Sequence, residues 1–162
     1  MEGMTDVVEM YKTRATRALN YFLNTVSFVP ADKLTWSPTP TAKSALQIAA
    51  HCAGYSVQFA EIIRIGNFPW TREDFRGQVY ARIASIETLE QAKAMLRQGI
   101  ADSIAALDSV NPEQIESMVD APQGPTPFTF FMGLPALHLE GHSTQIDYLQ
   151  TCWDDQEVHI PG

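Results

Sequence analysis

Cysteine is scarce in this 162-residue chain: there are two, Cys52 and Cys152, and no CxxC spacing. Each lies inside an apolar helical pattern, so both read as buried, unpaired thiols suited to a reducing cytosol. Positive charge is also short. Eleven Lys and Arg stand against nineteen Asp and Glu, a formal net charge of -8 with pI near 4.8. The basic residues are scattered, which excludes the clustered cationic surface that phosphate backbones require, so no nucleic-acid partner is expected. An acidic surface also repels anionic membranes. No apolar run approaches the ~20 residues needed to span a bilayer. The start, Met1-Glu2-Gly3-Met4-Thr5-Asp6, lacks the basic and apolar regions of a signal peptide. The expected location is therefore cytoplasmic, with no membrane association. Strand-like alternation, internal repeats and low-complexity runs are missing as well.

What is present is ordinary for a globular protein. Hydrophobic residues make up 45% and charged residues 19% of the chain, enough apolar content to exclude disorder. The length fits one domain over residues 1–162. Four segments carry helical periodicity. The first runs from about Thr5 to Phe28 and is closed by Pro30. The second opens at Ser44, where Ser44-Ala45-Leu46-Gln47 has capping-box form, and ends near Gly66. A long connection from Asn67 to about Glu87 follows, whose length suggests a crossover. The third helix opens on a second capping box, Thr88-Leu89-Glu90-Gln91, and stops before Pro112. After a proline-rich loop, the fourth spans roughly Phe128 to Trp153, with a kink or late start expected at Pro135. The tail beyond Asp154 is polar and is expected to fray, leaving His159 exposed. The pattern spells an all-α four-helix bundle.

Three of the four histidines fall inside helices. In His138-Leu139-Glu140-Gly141-His142 the two rings lie four residues apart, on one helical face and within reach of one ion. Neutral imidazole is a common ligand for zinc, nickel, copper and iron, and two at this spacing form a half-site. His51 sits mid-helix in Ile48-Ala49-Ala50-His51-Cys52-Ala53, where an imidazole without a partner is costly. A single such histidine is ordinarily a satisfied core group. Three on helices of one bundle point instead to a shared site, because facing helices of bundles build metal centres. Other motifs fail. A zincin needs HExxH, whereas Glu140 stands two places after His138 and points away. Di-iron bundles need Glu-x-x-His pairs, and a GxSxG nucleophile elbow is missing. The residual reading is a mononuclear three-histidine site for a divalent metal ion with open coordination positions.

These residues carry a resemblance. Ser44 seven residues before His51, the loop Leu34-Thr35-Trp36-Ser37-Pro38, and His138-x-x-x-His142 followed by Gln145 and Tyr148-Leu149 resemble the DinB-like superfamily in order and spacing across nearly the whole chain. The resemblance implies a metal held by His51, His138 and His142, an up-down-down-up bundle and a homodimer. It also implies thiol-dependent transferase or isomerase chemistry, in which a low-molecular-weight thiol is the cosubstrate of a small molecule. Zinc and nickel lead the candidate ions, with iron and copper also suited to three imidazoles. A metal-dependent hydrolase and a non-catalytic bundle pinned by its metal are the alternatives. Pro135 and Gly141 depart from the common pattern of that helix.

Several side chains share the ligand faces. Tyr55 and Gln58 follow His51 by four and seven positions, and Gln145 follows His142 by three. Each is a candidate to orient a ligand ring or, equally, a plain interhelix contact. Trp36 and Phe68-Pro69-Trp70 are candidates to roof a pocket or to pack beneath loops, and Phe128, Phe130 and Phe131 read as core. No residue is singled out as a general base.

Overall fold

The computed structural model describes residues 2–161 and is mostly helical. Four long helices carry the fold: α1 (Glu2–Ser27), α2 (Ala45–Ile65), α4 (Leu89–Leu107) and α6 (Phe128–Thr151). Between α2 and α4 lies α3 (Arg72–Ala84). Between α4 and α6 lie a single turn, α5 (Pro112–Ile115), and a hairpin of β1 (Met118–Ala121) and β2 (Gly124–Pro127). Among the described residues no helix is long and apolar enough to cross a membrane.

Local chemistry explains the boundaries. The Ser44 hydroxyl accepts from the Gln47 amide at 3.3 Å, and the Gln47 side chain accepts from the Ser44 amide at 2.9 Å. Both orphan donors at the start of α2 are thereby satisfied. Thr88 and Gln91 repeat the device on α4. Gly66 ends α2 in the left-handed conformation at φ 72°, donating its amide to the Ile62 carbonyl. Pro112 does not itself stop α4, which ends at Leu107. It opens α5 at a position where its missing N–H costs nothing.

The four long helices pack pairwise, α2 on α4 and on α6, and α1 on α6 and on α4. One core cluster gathers Phe22, Val26, Ile48, Ala53, Leu96, Ile100, Leu139 and Ile146, and a second gathers Phe59, Ile62, Ile63, Leu107, Phe128, Phe131 and Met132. The bidentate pair Arg14–Glu140, with contacts of 2.9 and 2.6 Å, ties α1 to the outside of α6.

Several expectations need correction. The connection from Asn67 to Glu87 is not a bare crossover. Thr71 caps α3, and Phe75, Val79 and Ile83 recur every fourth residue, a stripe so narrow that only Val79 is fully buried. The proline-rich loop holds a hairpin whose register pairs Met118 with Pro127 and Ala121 with Gly124. Helix α6 starts at Phe128 and runs through Pro135 unbroken, although Pro135 has no amide to offer the Phe131 carbonyl. Phe130 is 43% exposed rather than core. Cys52 is buried, but Cys152 is exposed. The tail folds back on α1: His159 stacks on Phe28 at 3.9 Å between centroids and bonds to Asp155 at 2.8 Å, so it is not solvent-exposed.

Gly141, between the two α6 histidines, is exposed, and a Cβ built there meets nothing within 4 Å. Gly141→Ala should therefore add roughly 0.5–1 kcal/mol through helix propensity and raise the melting temperature by about 2–3 °C in calorimetry. A fall would show that α6 needs a glycine there.

Candidate metal centre

Helix α2 delivers His51 and α6 delivers His138 and His142 to one point. The three rings offer one nitrogen each, all within 4.8 Å of one another. Ring centroids lie 5.0 Å apart for His51–His138, 4.7 Å for His51–His142 and 4.5 Å for His138–His142. The Nε2 atoms of His51 and His138 approach to 3.1 Å. Two metal–nitrogen bonds of ~2.0–2.1 Å near the tetrahedral angle leave ligand nitrogens a little over 3 Å apart, so this spacing fits a shared ion.

The electrostatics favour the neutral, ligating form of each ring. Burial pushes the His51 pKa down to about 4, with further lowering from His142 and Lys43. Burial, then His142 and His51, push His138 down to about 3. Burial also lowers His142, against a hydrogen bond to Gln145 that raises it. That bond, 2.7 Å from His142 Nδ1 to Gln145 Oε1, fixes the tautomer. An amide oxygen only accepts, so Nδ1 carries the proton and Nε2 keeps its lone pair for a ligand. Neutral rings at one point are the state metal binding demands.

Of the flanking candidates, Gln145 joins the site and Gln58 does not. The Gln58 side chain is buried and donates to Gln78 on α3 at 3.2 Å. Tyr55 does join, its ring 4.6 Å from His51 and 5.2 Å from His138, with Phe59 5.2 Å from His138 on the same side. Trp36 packs edge-on against Trp153 and roofs nothing at the triad. Phe68 and Trp70 cluster with Phe75 beside the site. Glu140 faces Arg14 on the outside of α6, away from the three rings. Sequence reasoning missed Phe75, Arg72 and Arg76, because the segment holding them was read as loop. It also passed over Lys43, whose position one residue before the Ser44 cap was the available signal.

Fold and site together define a helical protein whose inward-facing histidine triad is positioned to hold a metal ion. The chain belongs to the DinB superfamily, whose family model matches residues 14–146. Its fold is similar to that of a DinB-like protein from Bacillus subtilis, with a TM-score of 0.60 at 15% identity over 96% of both chains. No curated protein sequence matches it.

Proposed function

We propose that His51, His138 and His142 hold one divalent metal ion, zinc or nickel before iron or copper, and that the chain is a metal-dependent transferase. It would join a low-molecular-weight thiol to a small electrophile. In this reading residues 1–162 form a single domain folded up-down-down-up, paired as a homodimer and acting in the cytoplasm. The observation that carries it is the composition of the cluster. Three neutral imidazoles converge, and among the described residues no carboxylate or thiolate joins them. A three-nitrogen site keeps positions for exchangeable ligands, whereas structural zinc sites are closed by four protein ligands.

When bound, such an ion supplies Lewis acidity, bringing the pKa of a coordinated water or thiol towards neutrality. The chain's own residues do the rest. Gln145 holds His142 in the ligating tautomer. Tyr55 and Phe59 wall the rings on one side and limit water there. Burial, reinforced by Tyr80 and opposed by Arg76, raises the Tyr55 pKa, so its hydroxyl stays protonated at neutral pH and can donate to a bound reactant.

Metal analysis of the purified protein tests the reading. About one equivalent of metal is expected in the wild type, and less than roughly a tenth of that in His142→Ala. Unchanged metal in the variant would sink the site. Loss of free thiol from a mixture of metal-loaded protein, small thiol and alkylating electrophile then separates the possibilities. Turnover that needs no thiol would identify a hydrolase. Metal without any turnover, together with a large drop in melting temperature on chelation, would identify a structural centre.

A further inference from the structure

We propose that the site takes an organic anion with an apolar body, which lies in the groove walled by Tyr55, Phe59, Phe68 and Phe75 and whose acidic group pairs with Arg72 and Arg76. The proposal names the electrophile class for the transferase reading above and rests on it. The groove encloses about 340 Å³, enough for a compact aromatic or alkyl molecule. Its inner wall is the wall of the metal centre, because Tyr55 and Phe59 contact the His138 ring. An occupant therefore lies against the far side of the wall that backs the His138 ring, with its other end at the rim.

The rim is where the charge is. Arg72 and Arg76 stand four residues apart on α3, on one face of that helix, and both line the groove. The Arg72 guanidinium reaches only the Pro122 carbonyl, at a long 3.4 Å, and Arg76 donates to the Tyr80 hydroxyl at 3.2 Å. Among the described residues neither is paired with a carboxylate. The acidic residues of the same helix lie outside the groove: neither Glu73 nor Asp74 lines it, and Asp74 accepts from the Thr71 hydroxyl at 2.7 Å. A protein with a net charge of -8 thus sets two guanidinium groups without carboxylate partners on one aromatic groove. Paired guanidinium groups beside aromatic walls recognise a carboxylate or sulfonate on an apolar body.

Two dyes test this on the full-length protein. One is 8-anilino-1-naphthalenesulfonate, and the other is N-phenyl-1-naphthylamine, which has the same aromatic body without the sulfonate. The wild type should bind the sulfonate at one saturable site, roughly tenfold more tightly than the neutral dye. Arg72→Gln/Arg76→Gln should erase that margin, leaving neutral-dye affinity and metal content unchanged. Arg72→Lys/Arg76→Lys should keep part of the margin, and Phe75→Ala should weaken both dyes. Equal affinity of the two dyes for the wild type, or a full margin in the glutamine variant, overturns the proposal. Metal content in the same samples keeps the two readings apart. A margin without metal would refute the metal centre alone, and metal without a margin would refute the anion groove alone.

Discussion

Metal-free protein should lose thermal stability steeply as pH falls from 6.5 towards about 4, and His138→Leu should keep most of that stability while losing metal affinity by more than about a hundredfold. The argument rests on three rings held neutral in the fold. Their unfolded-state pKa is near 6.5, and burial sets His51 to about 4, His138 to about 3 and His142 below its ordinary value. Between those limits the unfolded chain binds protons that the folded chain does not. Stability therefore rises with pH across the interval, is complete above 6.5, and is lost as pH falls towards the folded-state values. Each fully buried ring would contribute a slope of up to about 1.4 kcal/mol per pH unit, and the half-exposed ones less. His138 is the most deeply set, so leucine in its place removes the largest part of the slope. Metal binding needs the same neutral rings, and the fold keeps them neutral well below 6.5, so protons should compete for the ion only as pH falls towards about 4. Calorimetry of chelated wild type and variant across that range is the check. Parallel curves for the two would show that His138 is not held neutral by the fold.

The parts of the molecule readable from its sequence are those written in strong local chemistry. The Ser44 and Thr88 capping boxes and the Gly66 stop state helix ends within a few residues, and the structure makes each of those contacts. The four-residue step from His138 to His142 fixes two rings on one face whatever else the chain does. His51 was legible as an anomaly, a costly polar ring in an apolar helix. Helix α3 was not legible, because a stripe of Phe75, Val79 and Ile83 in a polar setting gives little periodic signal. The hairpin was hidden for a related reason: strands of four residues containing Gly124, Pro125 and Pro127 are too short and too broken to alternate. Phe130 was misplaced because exposure at a groove rim looks, in sequence, like the burial of its neighbour Phe131. The candidate metal ligands were thus visible, with Tyr55 and Phe68 of the neighbouring groove, but the α3 side of that groove was not. Ligands must obey helical spacing, whereas groove walls come from whichever segments the chain folds over the site. The shape of the groove therefore rests on tertiary packing that no local pattern encodes.

Gly99→Ala should destabilise the protein by about 2–3 kcal/mol, a fall of roughly 5–10 °C in melting temperature, although alanine is the better helix former. Gly99 lies on α4 where that helix crosses α2. A Cβ there would collide with the Ser56 hydroxyl, come within 2.7 Å of its Cβ and stand 3.0 Å from its backbone carbon. The hydroxyl cannot easily swing away, because it is buried and donates to the Ala53 carbonyl at 2.8 Å. Relief would have to come from moving one helix off the other. Helix α2 also carries His51, so the strain should weaken metal binding as well, at a position where no side chain touches the metal centre. Exchanging the small residue across the interface tests this account. Ser56→Gly combined with Gly99→Ala clears both the hydroxyl and the Cβ, and the pair should recover more than half of the lost stability despite a second glycine in α2. Additive losses in the double variant would place the cost of Gly99→Ala somewhere other than this helix crossing.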